Sequence, residues 1–280
     1  MLDRLSVPQE EPDSRFERAA PEWPQHWVLL GGVGRECARW PEAPQMLVQR
    51  LRRMAPTSQL HLLDLPGTGQ RWQERSPSQV AELVEGLRAQ LRSLEAPIGL
   101  IASSVAAALA TEWARRYPQE LGALVLVSPV LRPFTPLLRA VRPGLWPTLA
   151  ALLLGRRSPW ALDERLFAST TNLRADVMGL DTEWRRLRDE HPVKLRNVCA
   201  QGLAVWRYEA SRRRPHGRVL LLAGHADQWF DWRISQAISR AWGAAVRVHP
   251  EAGHDLLLDD PDWVARSVQE WLQPVGQGGG

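Results

Sequence analysis

Six short apolar runs, Trp27 to Leu30, Leu60 to Leu63, Ile98 to Ser103, Ala123 to Val127, Val219 to Leu222 and Val246 to Val248, alternate with amphipathic stretches. That rhythm predicts strand-helix units, which assemble into an α/β fold: a mostly parallel central sheet flanked by helices. Between the second and third runs, Val80, Leu83, Val84, Leu87 and Leu91 recur at helical spacing behind Ser76-Pro77. Ser78 to Leu94 is therefore expected to be a crossover helix. Ala106 to Tyr117 is expected to be the helix after the third strand, and Asp262 to Leu272, introduced by Pro261, to close the fold.

The rhythm stops between Leu131 and Arg207. Prolines at 133, 136, 143, 147, 159 and 192 punctuate short helical segments there, and no strand-like run appears, which reads as an inserted helical cap. The span carries twelve arginines and Lys194 against seven acidic residues, an excess of six positive charges. The expected organisation is a flexible N-terminal tail (1–25), an α/β core (26–130 and 208–273), the cap (131–207) and a flexible tail (274–280) ending in Gly276 to Gly280. A length of 280 residues can be taken up by one such domain.

Several function classes are excluded. The net charge is +4, and Lys194 is the only lysine, so the basic balance is arginine usage with no basic run and interleaved aromatics; nucleic-acid binding is not expected. Two cysteines, Cys37 and Cys199, cannot form a disulfide framework, and a reducing cytoplasmic setting is expected. Met1 to Pro24 is polar, carries four prolines and lacks the apolar centre of a signal peptide. The longest apolar stretches, Ile98 to Ala110 and Trp146 to Leu154, fall short of the ~20 residues of a membrane span. Histidines 26, 61, 191, 216, 225, 249 and 254 show no i, i+4 pair or cysteine companion, so no metal is expected. Gly31-Gly32-Val33-Gly34 lacks the Lys-Ser/Thr ending of a phosphate loop and the full dinucleotide pattern, so no nucleotide cofactor is expected either.

The segment from Ile98 to Ala108, Ile-Gly-Leu-Ile-Ala-Ser-Ser-Val-Ala-Ala-Ala, runs an apolar strand directly into a helix through small residues. A serine on such a strained turn needs small neighbours two before and two after it. Ser104 has Ala102 and Ala106 at those positions, whereas Ser103 would have Ile101 and Val105. Ser104 is the candidate nucleophile.

Ala102-Ser103-Ser104-Val105-Ala106 resembles the G-x-S-x-G elbow of the α/β-hydrolase superfamily, with alanine for both glycines. The resemblance spans Trp27 to Leu272. Val28-Leu-Leu-Gly-Gly-Val-Gly, followed by Trp40, looks like the family's first strand and oxyanion loop, with Gly31 where a histidine is common. It implies an oxyanion hole made by the amides of Val33 and Val105. Asp64-Leu-Pro-Gly-Thr-Gly resembles the D-x-P-G-x-G loop, a structural element. Val219-Leu-Leu-Leu-Ala-Gly-His-Ala-Asp implies Asp227 as the triad acid, with Asp231 as the alternative if the turn is shifted. Arg247-Val-His-Pro-Glu-Ala-Gly-His-Asp implies His254 as the base, and the order Ser104, Asp227, His254 is the family's. His225 and His249 lie near the same loops and read as structural.

What the resemblance implies is a serine hydrolase of the capped bacterial carboxylesterase type, cleaving a carboxylic ester or thioester through an acyl-Ser104 intermediate without a cofactor. Trp146, Trp160, Trp184 and Phe167 in the cap either glue its helices to the core or line a substrate pocket. The positive cap suggests a narrower substrate, an ester carried on an acidic acyl carrier protein. The alanines at the elbow and Gly31 suggest a rival, a binding protein that keeps the hydrolase shell without catalysis.

Overall fold

The computed structural model describes residues 23–94, 96–134, 169–173 and 180–273, together with Pro143. All six expected strands form: β1 His26–Leu30, β2 Gln59–Leu63, β3 Ile98–Ser103, β4 Leu121–Val127, β5 Arg218–Gly224 and β6 Ala245–His249. They pair in parallel in the order β2-β1-β3-β4-β5-β6. The inner strands are apolar at consecutive positions because both sheet faces are covered. Val28, Leu30, Leu100, Leu124, Leu126 and Leu221 belong to one core; Trp27, Leu29, Ile101, Val125, Val127 and Leu222 belong to the other. The edge strands β2 and β6 are more exposed and correspondingly more polar.

The helices are α1 Ala43–Met54, α2 Val80–Arg88, α3 Ala107–Arg116, α4 Leu180–Glu190, α5 Leu195–Arg207, α6 Arg233–Trp242, α7 Leu256–Asp259 and α8 Pro261–Leu272. On one face α2, α3 and α6 bury Leu83, Leu87, Leu109, Trp113, Ile234 and Ile238; on the other, α1 and α8 bury Leu47, Leu51, Val264 and Val268. The crossover helix is shorter than the expected Ser78 to Leu94: it ends at Arg88 and tightens into a 3₁₀ turn over Ala89–Leu91. Pro261 opens α8 where expected, with the Asp260 carboxylate accepting from the Trp263 amide as its cap.

Among the described residues of 131–207 there are two helices, α4 and α5, and no strand. Trp146, Trp160 and Phe167, and the tail segments 1–22 and 274–280, lie outside the described residues. No helix among the described residues is long and apolar enough to cross a membrane. The chain passes from β1 outward to β2, then returns across β1 to β3. That reversal opens a crevice between the loops that leave β1 and β3, the place where open parallel sheets bind ligands.

Candidate active site

Ser104 stands at this crevice. β3 ends at Ser103 in extended backbone, a single 3₁₀ turn spans Ser104–Ala106, and α3 begins at Ala107. Ser104 takes φ 56°, a left-handed conformation that costs an L-residue about 1–2 kcal/mol. Ala102 and Ala106, both fully buried, leave room for that turn. Ser103 is buried beside it, whereas Ser104 is only half-buried.

The Ser104 hydroxyl lies 2.8 Å from His254 Nε2, and His254 Nδ1 lies 2.7 Å from Asp227 Oδ2. A carboxylate accepts only, so the proton sits on Nδ1 and Nε2 is left to accept from Ser104. The other Asp227 oxygen accepts from the Trp229 amide at 2.7 Å and the Phe230 amide at 3.0 Å, which fixes the carboxylate. Asp227 and His254 are each 3% exposed. Trp229 stacks on the imidazole at 5.7 Å and 9°, and Phe230 lies across it at 5.1 Å.

Two backbone features bring the His254 loop to this point. Gly224 ends β5 with no side chain; a Cβ there would run into the Ala252 and Gly253 carbonyls. Ser128, just past β4 with φ 46°, donates from Oγ to the His254 carbonyl at 2.8 Å and from its amide to Leu222 O at 2.7 Å. Ser128, Trp229 and Phe230 escaped the sequence reading. The two aromatics follow Asp227 at +2 and +3, a usable signal, whereas nothing local marks Ser128.

The alternative residues are engaged elsewhere. His249 Nδ1 accepts from the Glu251 and Ala252 amides, and its ring meets Trp263 edge-on. His225 lies beside Trp232, and Asp231 pairs with Arg233 at 3.3 Å.

The loop after β1 borders the same crevice, its Arg35 guanidinium 5.6 Å from the Trp229 ring that stacks on His254. Arg35 N donates to Gly32 O at 3.2 Å, and of the intervening residues Gly34 has positive φ, the pattern of a type II turn with Val33 and Gly34 at its corners. Among the described residues nothing accepts from the Val33 amide. Val105 sits in the first turn of a helical segment, where amides have no intrahelical acceptor. Gly31, where the resemblance leads one to expect histidine, has a physical reason: a Cβ there would stand 2.9 Å from Arg35 O. Asp64 ties this loop to the one after β2, accepting from the Cys37 amide at 2.9 Å and the Gln70 amide at 3.3 Å. Burial and the neighbouring Asp64 carboxylate push the Cys37 thiol well above its ordinary range, so it is no nucleophile.

Buried carboxylates brace the surroundings. Asp255 accepts from Trp40 Nε1 at 2.8 Å and stands 3.6 Å from Arg35, and burial raises its carboxyl above the ordinary range. Asp259 accepts from the amides of Gly253, Asn172 and Leu173, fastening residues 169–173 beside the His254 loop. Glu36, raised by burial against the opposing bond to His191 at 2.9 Å, joins the loop after β1 to the segment before α5. Trp184 donates to Arg39 O at 3.4 Å, carries the Arg39 guanidinium on its ring at 4.8 Å and packs against the core that holds Trp27 and Leu29. No group of three or more His, Cys, Asp or Glu that could hold a metal occurs among the described residues.

The profile of the alpha/beta hydrolase family matches residues 17–267. An esterase from Exiguobacterium antarcticum superposes with a TM-score of 0.72 at 13% identity, over 90% of this chain and 93% of that one. A thermophilic esterase from Thermogutta terrifontis gives 0.68 at 18%, over 88% and 89%. The type II thioesterase BorB from the borrelidin biosynthetic cluster gives 0.60 at 20%, over 91% and 95%. At these identities the likeness is one of fold. No curated protein sequence matches the chain.

Proposed function

The chain belongs to the alpha/beta hydrolase family, and on that premise we propose that it is a serine hydrolase cleaving a carboxylic ester or thioester through an acyl-Ser104 intermediate. The observation that supports this reading is the hydrogen-bonded series Ser104 Oγ, His254, Asp227, at 2.8 and 2.7 Å, at the crevice of the sheet. Ser104 Oγ attacks the carbonyl carbon while His254 Nε2 takes its proton, and Asp227 stabilises the imidazolium. The Val33 and Val105 amides hold the oxyanion. His254 returns the proton to the departing alcohol or thiol, leaving acyl-Ser104. Water, deprotonated by His254, attacks the acyl carbon; Ser104 recovers its proton and the acid departs.

Residues 131–207 form the cap in this reading, and Trp229 and Phe230, which pack on the His254 ring, line the acyl side. Trp184 belongs to the cap-to-core packing through Arg39. The positive excess of the cap would attract an acidic acyl carrier protein, which puts carrier-bound acyl groups beside free esters in the proposed substrate class.

A fluorophosphonate probe tests the assignment. It should label the wild-type protein and not Ser104→Ala, and the wild type should turn over short- or medium-chain nitrophenyl esters. Persistent labelling of the alanine variant refutes the nucleophile; a folded wild type silent toward probe and esters points to the non-catalytic rival.

A further inference from the structure

α5 turns two amide side chains into the protein. Asn197 and Gln201, one turn apart, are both 0% exposed, and a buried amide is costly unless its donors and acceptors are used. Asn197 Oδ1 accepts from the Ser76 amide at 3.2 Å, and its Nδ2 donates to Glu74 O at 2.9 Å. Gln201 Nε2 donates to Pro66 O at 2.9 Å and to Ser76 Oγ at 3.0 Å. Both side chains thus anchor α5 to the loop after β2. Gln201 also reaches the loop after β1: its Oε1 accepts from the Gly34 amide at 2.8 Å.

That amide belongs to the central peptide of the Gly32–Arg35 turn. Type I and type II turns differ chiefly by a flip of this peptide, and a glycine at the third position permits either. Gln201 Oε1 accepts only from the orientation observed. α5 packs directly on the same residue, since a Cβ on Gly34 would lie 3.2 Å from Val198 Cγ2. We infer that Gln201, delivered by α5, is a positioning residue that locks the turn carrying the Val33 amide.

The inference rests on the hydrolase reading, and it predicts a particular pattern of loss. Loss of the Gln201 bond still admits substrate but frees the Val33–Gly34 peptide, so the turn sets the adjoining Val33 amide less firmly toward a developing oxyanion. The loss therefore falls on kcat and on binding of tetrahedral mimics rather than on KM. Gln201→Met, which keeps the length and removes both hydrogen-bonding roles, should lower kcat about 10- to 100-fold, less than removal of an oxyanion donor outright. KM should stay near the wild-type value, and affinity for a boronic acid should fall by about the same factor as kcat.

Gln201→Glu, which retains an acceptor for the Gly34 amide, should recover part of kcat and provides the comparison if the methionine variant does not fold. Asn197→Ala, which loses the neighbouring anchors but no bond to Gly34, should lower the melting temperature while leaving kcat near wild type. Wild-type kcat and boronate affinity in Gln201→Met overturn the inference, as does a kcat loss in Asn197→Ala matching its loss of stability. A wild type that neither labels nor turns over ester instead marks failure of the hydrolase reading.

Discussion

Ser128→Ala removes one strut from the His254 loop and leaves the proposed reacting groups in place. The bond lost is Ser128 Oγ to His254 O, 2.8 Å long and buried. A neutral hydrogen bond is worth about 1 kcal/mol net, and the carbonyl left buried without a partner raises the cost to about 2 kcal/mol. The positive φ of 46° does not enter the difference, because serine and alanine both carry a Cβ. In a domain of this size about 2–4 °C of melting temperature goes with each kcal/mol, so the variant should melt about 4–8 °C lower. Catalysis should suffer less. Asp227 still holds Nδ1, and Trp229 and Phe230 still pack on the ring, so fluorophosphonate labelling should slow about tenfold or less, far short of the ~10⁴ lost when a triad aspartate is replaced by asparagine. Thermal melts by circular dichroism and timed labelling measure both effects. A variant that melts within about 1 °C of wild type and labels at an unchanged rate would show that the strut carries no load and that the loop is held elsewhere.

Gly224→Ala should be more damaging. The new methyl meets two backbone carbonyls that can move only by carrying the His254 loop with them; overpacking of this kind costs about 1–3 kcal/mol, and a shift near 1 Å can cost about 10²-fold in rate. Wild-type melting and labelling of this variant would contradict the close approach of β5 to that loop. Asp255→Asn tests a buried charge. A carboxyl raised by burial favours the native state most at low pH, and that contribution is lost as pH climbs from the ordinary aspartate value of 3.8 through the raised native value. The asparagine variant lacks this loss, so its melting temperature relative to wild type should improve from acidic to neutral pH. A relative decline over the same range would mean that pairing with Arg35 outweighs burial.

The elements readable from the sequence were those whose apolar residues answer to one local rule. Each strand run met the need of a doubly covered sheet, and α2, α3 and α8 carried apolar residues at helical spacing. α1 and α6 were not anticipated. Yet α1 sets Met46, Leu47, Leu51 and Met54, and α6 Ile234, Ile238 and Trp242, at the same helical spacing, so the signal for both lay in the sequence. At the crevice, Ser104 was readable from its small flanks, and Asp227 and His254 from the resemblance of their loops to the family's.

From sequence alone, then, came the strand count, the α/β class and three chemically apt side chains on three separate loops. Their meeting was a tertiary event. Residues 150 apart came within hydrogen-bond distance because burial of both sheet faces set β3, β4, β5 and β6 side by side, so that their ends converge at one edge. Ser128 and Gln201 acquire their roles only from what lies across that edge: a carbonyl and an amide distant in the chain. Spacing encodes the period and the junctions of local structure; long-range partners depend on where packing brings the loops to rest.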